Sequence, residues 1–352
     1  MSVQITILSD TVGSGKTTFL KSWIKSQTKI AGVLSPKING KRYFEIFPSG
    51  KLFPMESEVG TLEIGKYQFD NKAFQKTENL LWDFFNNNEI KTLVIDEIGP
   101  LEIKKNQGFH KLLQKIVAAE NQSDKSIILV IRDSCLQDFI TKYPFKNIKI
   151  KSKTNWIKNE TLIGLILCGG KSQRMNTDKA LVSYHAIPQW RYLYTLLSSL
   201  CDEVYLSLNE NQIKTWNLPQ EINYIKDCEE FLNHGPMTGL LSATRCLDTN
   251  PILITGCDYP NLRLEHLFCL LKNRDTSDAI CFEKNGYIEP LIAVLEKQTV
   301  AAVTSYFYEE NDSLRKFLET RNTKKILPES TYFLLNANTA EIALSIQNAP
   351  KK

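Results

Sequence analysis

The stretch ILCGGKSQRMNTDKAL, residues 166–181, decides how the second half of the chain folds. An apolar run ends in two glycines, basic residues follow at Lys171, Arg174 and Lys179, and a new apolar run begins. Glycines directly after a strand let the backbone approach phosphate oxygens, because no Cβ stands in the way. The spacing is neither that of a dinucleotide-binding loop nor that of a Walker A loop. A second candidate loop, DTVGSGKTTFL at residues 10–20, does carry the GKT ending of Walker A. Two loops of different design imply two phosphate chemistries in one chain.

Around each loop, apolar runs alternate with amphipathic stretches. Strands are expected at VQITIL, TLVIDEI and SIILVI in the first half, and at LIGLIL, EVYLSL, PILITG and DAICF in the second. Helical patterns occupy 17–27, 77–88, 107–120 and 135–142, then 188–200, 237–247 and 262–272. Such alternation predicts an α/β protein of two domains, each a mostly parallel sheet covered by helices. The 352 residues suit that count at ~150 per domain. The expected domains are 1–155 and 160–352.

Charge divides the chain in the same place. Residues 1–158 carry a net +8 and the remainder a net −4, within a total of +4. The basic excess peaks in KYPFKNIKIKSKTNWIK, residues 142–158, which reads as a solvated tether rather than a nucleic-acid patch. No apolar run reaches the ~18 residues of a membrane span, and the N-terminus has no signal-peptide pattern. The eight cysteines form no CxxC pair, which argues against zinc and for a reduced, cytoplasmic setting. Neither a nucleic acid nor a membrane is an expected partner.

In the first loop, Gly13 and Gly15 turn backbone N–H groups inward around phosphate oxygens. Lys16 reaches the β- and γ-phosphates, Thr17 offers its hydroxyl to Mg²⁺, and Ser14 and Thr18 complete the nucleotide-binding set. Asp10 stands where the full pattern has glycine; its carboxylate either weakens triphosphate binding or faces away. In TLVIDEIGPLE, Asp96 suits an outer-sphere Mg²⁺ role and Glu97 suits polarising a water for attack on the γ-phosphate. With GVLSPKINGKRYFEIFPSGK (32–51), EIGKYQF (63–69) and LVIRD, these motifs resemble the small cancer-related or thermophilic nucleoside-triphosphatase family. That resemblance implies a P-loop fold over most of residues 1–150 and hydrolysis of ATP or another nucleoside triphosphate.

The opening stretch resembles the signature LAGGxSxRMGxDK of nucleotidyltransferases, specifically the molybdenum cofactor guanylyltransferases. Cys168 replaces the usual alanine, and Asn176 stands where glycine is usual. SLNEN (207–211), YIKD ending at Asp227, GPMTGLLSA (235–243), ILITGCDYPNL (252–262), IEPLIAVLE, SLRKFL and LNANTAEIA follow in the family's order. The resemblance implies a Rossmann-like nucleotidyltransferase fold, GTP and molybdopterin cofactor as substrates, and Mg²⁺. It assigns GTP binding to Leu167, Cys168, Gly169, Lys179, Asn209, Asp227 and Asp258, and the metal to Asp258.

The chemistry of the residues runs in parallel. Gly169 and Gly170 allow close backbone approach, and Arg174 and Lys179 supply cations for a departing pyrophosphate. Asp258, past the end of a parallel strand, lies where open α/β sheets place ligands. Asn336 and Asn338 serve either the metal or pterin site or merely a turn, whereas His185, His234 and Met175 read as packing or loop residues. Three rivals stay open: a cytidylyltransferase, a sugar-phosphate nucleotidyltransferase, and a GTP-binding adaptor that binds nucleotide without repeated turnover.

Overall fold

The structure, a computed structural model, describes residues 2–58, 60–65, 67–169 and 178–337. The chain divides into two units, Met1–Ile157 and Lys158–Lys352. Among the described residues no helix is long and apolar enough to cross a membrane.

The first unit is built on an eight-stranded sheet. From one edge run Ile148–Lys151, Gln4–Asp10, Ser126–Arg132, Thr92–Ile98, Ile30–Leu34 and Lys41–Phe47. The first five are parallel, and Lys41–Phe47 is antiparallel to its neighbour. Leu93, Val94 and Ile95 are consecutive and fully buried, as expected when helices cover both faces of a parallel sheet. Helix Asn71–Asn86 starts at Asp70, whose carboxylate accepts Lys72 N–H, and buries Phe74, Leu81 and Phe85. It begins six residues before the expected 77, because its first turns are polar and its apolar stripe only becomes dense later.

The tether expected at 142–158 is instead integral structure. Ile148–Lys151 is an edge strand in register with the first strand, Ile150 lying opposite Ile7, and Ile150 is buried while its lysine neighbours are partly exposed. Lysines on the open side of an edge strand guard it against further pairing, and here they gave the segment its solvated look. The following helix, Lys153–Lys158, sets Trp156 edge-on against Phe19 and Trp23, with ring centroids 6.1 and 5.3 Å apart.

The second unit has a seven-stranded sheet ordered Tyr224–Lys226, Glu203–Leu208, Ile163–Leu167, Ile252–Gly256, Tyr287–Leu295, Ala279–Lys284, Thr323–Ile326. Ile163–Leu167 is parallel to both neighbours; Tyr287–Leu295 runs antiparallel to both of its own. Helix Gln189–Leu200 lies so close over the central strand that a Cβ at Gly164 would come within 2.8 Å of Leu197. Leu167 pairs with Gly256, so the loop after Leu167 and the segment Cys257–Asp258 leave the sheet side by side.

If the lysine-rich segment is structural, Trp156→Ala removes ring packing worth about 2 kcal/mol from the first unit. Hydrogen exchange of the amides in Gln4–Asp10 should then speed up by more than tenfold; an unchanged rate would restore the tether.

Candidate active sites

In the first unit the nucleotide loop joins strand Gln4–Asp10 to helix Lys16–Ile24. Gly13 and Gly15 have φ of 80° and 82°, the left-handed region that only glycine enters without strain. Lys16 Nζ donates to the carbonyls of Asp10 (2.9 Å) and Thr11 (2.7 Å), folded back into its own loop. Thr17 Oγ1 donates to Asp96 Oδ2 at 2.8 Å, joining the two motifs the sequence paired. Ser35 N–H donates to the same oxygen at 2.9 Å, and burial raises the Asp96 carboxyl above its usual range. The Ser14 hydroxyl is buried and has no hydrogen-bond partner among the described residues, and Thr18 follows on the helix's first turn.

Asp10 does not project freely into the loop. One carboxylate oxygen accepts Thr11 N–H at 2.9 Å, and the other faces Lys153 N–H at 3.4 Å. Lys153 Nζ in turn donates to Ser14 O at 2.5 Å, a contact that the tether reading hid. Glu97 departs from its expected posture. Its Oε1 is shared between Arg42 and Arg132 Nη2, the latter at 3.1 Å, so the carboxylate is engaged by two guanidiniums.

In the second unit Leu167 ends the central strand and Cys168 and Gly169 begin the loop. Gly170 and Arg174 lie outside the described residues, as does Asn338. A Cβ at Gly169 would stand 2.9 Å from Asp227 Oδ2, so the close approach of that carboxylate requires glycine there. Asp227 is buried, which raises its carboxyl, and it accepts a 2.7 Å bond from Ser207 Oγ. Asn209 caps helix Glu210–Thr215 by accepting Gln212 N–H at 2.9 Å. Asn209 and Asp227 both line a 440 Å³ cavity with Lys226.

Asp258 is half-buried, with its Oδ1 fully covered. Desolvation pushes its carboxyl up to about 6, while the nearby Lys179 pulls it back down. Its Oδ1 is buried with no hydrogen-bond partner among the described residues, and a Cβ at Gly256 would come within 2.7 Å of that oxygen. Its Oδ2 faces Asn336 Nδ2 at 3.4 Å, and its carbonyl accepts Ala337 N–H at 2.8 Å. A buried carboxylate oxygen left without a partner is costly unless a cation completes it. The donor set fits a hard divalent ion, which takes oxygen ligands and keeps several waters.

Sequence reasoning missed Gln212. Its side chain donates to Cys168 O at 2.9 Å and Asp178 Oδ2 at 2.8 Å, and accepts Asn209 N–H at 3.0 Å. One amide thus holds both ends of the loop running from Cys168 to Asp178. The signal was present as N-x-x-Q at 209–212, the spacing of a capping box. His185 and His234 are packing and surface residues, as expected: His185 stacks on Tyr192 at 3.7 Å, and His234 faces Asp312 at 3.5 Å.

The family model for the MobA-like NTP transferase domain matches residues 164–326, and that for an NTPase matches residues 5–160. A Carboxydothermus hydrogenoformans protein named "probable molybdenum cofactor guanylyltransferase" is 31% identical over 187 residues, 51% of this chain and 92% of that protein. The chain belongs to the MobA-like NTP transferases. A Synechocystis sp. "molybdenum cofactor biosynthesis bifunctional protein" is 30% identical over 222 residues, 60% of this chain. The match spans 62% of that relative's own length. The crystal structure of "molybdopterin-guanine dinucleotide biosynthesis protein A" from Archaeoglobus fulgidus is 17% identical, with a TM-score of 0.45 over 53% of this chain and 96% of that one.

Within the transferase unit, Gln212→Leu removes both loop-holding bonds, about 1 kcal/mol each. Calorimetric titration should find nucleotide affinity lowered by at least tenfold with the melting temperature little changed. Unaltered affinity would reduce Gln212 to a helix cap.

Proposed function

We propose that this chain transfers GMP from GTP to the phosphate of molybdopterin cofactor, releasing pyrophosphate, and that its first unit binds and hydrolyses nucleoside triphosphate. The observation that carries the transferase reading is the half-buried Asp258, whose covered Oδ1 has no hydrogen-bond partner among the described residues, beside Lys179 where the glycine loop opens. The terminal phosphate of the pterin is the nucleophile. One of its oxygens forms a bond to the α-phosphorus of GTP as the α–β bridging bond breaks, and the electron pair leaves with pyrophosphate. Because that phosphate is already ionised at neutral pH, no side chain needs to remove a proton.

The chain's own residues bind, orient and neutralise. Gly169 lets the triphosphate lie against the backbone, Lys179 and Arg174 hold the departing pyrophosphate, and Asn209 and Asp227 face the nucleoside. Asp258 would hold Mg²⁺, which neutralises charge at the α-phosphate. In the first unit, Lys16 grips the β- and γ-phosphates, and Thr17 with Asp96 would hold a second Mg²⁺.

Asp258→Asn is nearly isosteric, so the fold survives, but the charge under the metal is lost. Electrostatic stabilisation of this kind is worth ~3 kcal/mol, so GMP transfer should fall at least ~100-fold while triphosphate hydrolysis persists. Lys16→Ala should abolish hydrolysis and leave transfer intact. Mass analysis of the pterin product, with GTP, CTP and UTP compared, reads the first activity, and nucleoside diphosphate formation reads the second. Undiminished transfer by Asp258→Asn, or a preference for CTP or UTP, would overturn the assignment.

A further inference from the structure

Glu97 is the penultimate residue of the strand that carries Asp96, within a break in the strand register between Ile95 and Ile98. Its φ is 69°, left-handed, and a non-glycine residue keeps that conformation only when its surroundings hold it there. Arg42 and Arg132 are those surroundings, both directed at Oε1. Arg132 stands opposite Asp10 in the strand register, beside the start of the phosphate loop, while Arg42 arrives from Lys41–Phe47 on the far side. A carboxylate satisfied by two guanidiniums is a poor acceptor for a water proton. Hydrolysis needs Glu97 released from at least one of them.

Beside this cluster lies a 230 Å³ cavity. Its walls are mostly apolar, among them Met55, Ile64, Tyr67, Phe69, Phe74 and Leu101, and Arg42, Arg132, Glu97 and Glu102 form its charged lining, Glu102 being held by the Gly99 and Phe109 N–H groups. The planar guanidinium of Arg42 lies over the Tyr67 ring, 5.4 Å from its centroid. A hydrolytic site needs room for one attacking water, roughly 30 Å³, so hydrolysis alone does not explain this space. An apolar pouch with two guanidiniums in its lining suits a compact hydrophobic anion: a flat or branched body for the walls, and a carboxylate or phosphate for bidentate pairing with arginine.

We infer that this cavity is an effector site for a compact hydrophobic anion, whose oxyanion takes the place of Glu97 on Arg42 and Arg132 and frees Glu97 to activate water at the phosphate loop. The inference rests on the reading of the first unit as a triphosphatase. Its logic is differential binding: the anion favours the state with Glu97 released because there it replaces that carboxylate on both guanidiniums, Glu56 remaining 3.8 Å from Arg42 Nε.

The test uses the full-length protein with Mg²⁺ and ATP, following ADP formation. Benzoate and phenyl phosphate are the probes, and acetate and inorganic phosphate are the controls that lack an apolar body. Benzoate or phenyl phosphate, whichever oxyanion the site prefers, should raise kcat at least fivefold with KM unchanged, and the controls should not. Arg42→Gln should raise the unstimulated kcat and lose the response, while Glu97→Gln should bind the aromatic anion in calorimetry yet stay inactive. Absence of both binding and stimulation overturns the effector site, as does an Arg42→Gln protein that melts like wild type yet hydrolyses as poorly as Glu97→Gln. Should Arg42→Gln fold badly, Arg132→Gln supplies the same comparison. A wild-type protein that binds aromatic anion but neither binds nor cleaves nucleotide removes the triphosphatase reading instead.

Discussion

Parallel pairing in register is the constraint on which both units depend. Parallel strands bring their C-terminal ends to one edge, so residues far apart in sequence meet there without further design. Leu167 beside Gly256 sets the glycine loop next to Asp258, and Asp10 beside Arg132 sets the Walker loop next to the arginine that engages Glu97. Each sheet needs a covered, apolar interior to hold that pairing, which explains runs such as LVI at 93–95 and ILIT at 252–255, buried on both faces. The chemistry sits where these runs stop and glycine begins.

The two edges handle buried negative charge differently. Asp96 is buried but satisfied, by Thr17 Oγ1 and Ser35 N–H on one oxygen. Asp258 is half-buried and left short, with its covered Oδ1 unpartnered among the described residues and its Oδ2 reached by a long bond from Asn336. A satisfied carboxylate suits an outer-sphere role, where waters stand between it and a metal. An unsatisfied one suits direct coordination, because only a cation recovers the cost of its desolvation. The difference between the two proposed chemistries is therefore already present in how each aspartate is solvated by protein.

Much of this was legible in the sequence because strand ends announce themselves. TLVIDEI and EVYLSL match their strands at both ends, and the first glycine loop joins a strand to a helix as its pattern requires. What stayed hidden is what depends on neighbours distant in sequence. Lys41–Phe47 and Tyr287–Leu295, the antiparallel additions, carry polar residues facing solvent or partners that no local period reveals. The lysines at 149 and 151 looked like tether because an edge strand exposes one side, and only pairing with Gln4–Asp10 explains Ile148 and Ile150, which alternate with them. Arg42 and Arg132 lie inside stretches the sequence singled out, but their shared partner appears only when three separate strands bring them to Glu97.

The contrast between the loops has a physical reason in how each is held. The Walker loop is short and closes on itself: Lys16 Nζ binds the carbonyls of Asp10 and Thr11, and Gly13 and Gly15 supply the left-handed turns. Most of what holds it lies within the loop, with Lys153 reaching in to Ser14 O, and its sequence pattern is correspondingly compact. The loop after Cys168 spans ten residues before Lys179, too many for backbone geometry alone to define one shape. Gln212 pins it at both ends from another helix, and Asp227 pushes against Gly169 from another strand. Its specification is therefore spread over the unit, in ordered motifs across 207–262 rather than in one short signature. Changes at Gln212 or Asp227 therefore act on Cys168, Gly169 and Asp178, the described ends of the loop, from outside it.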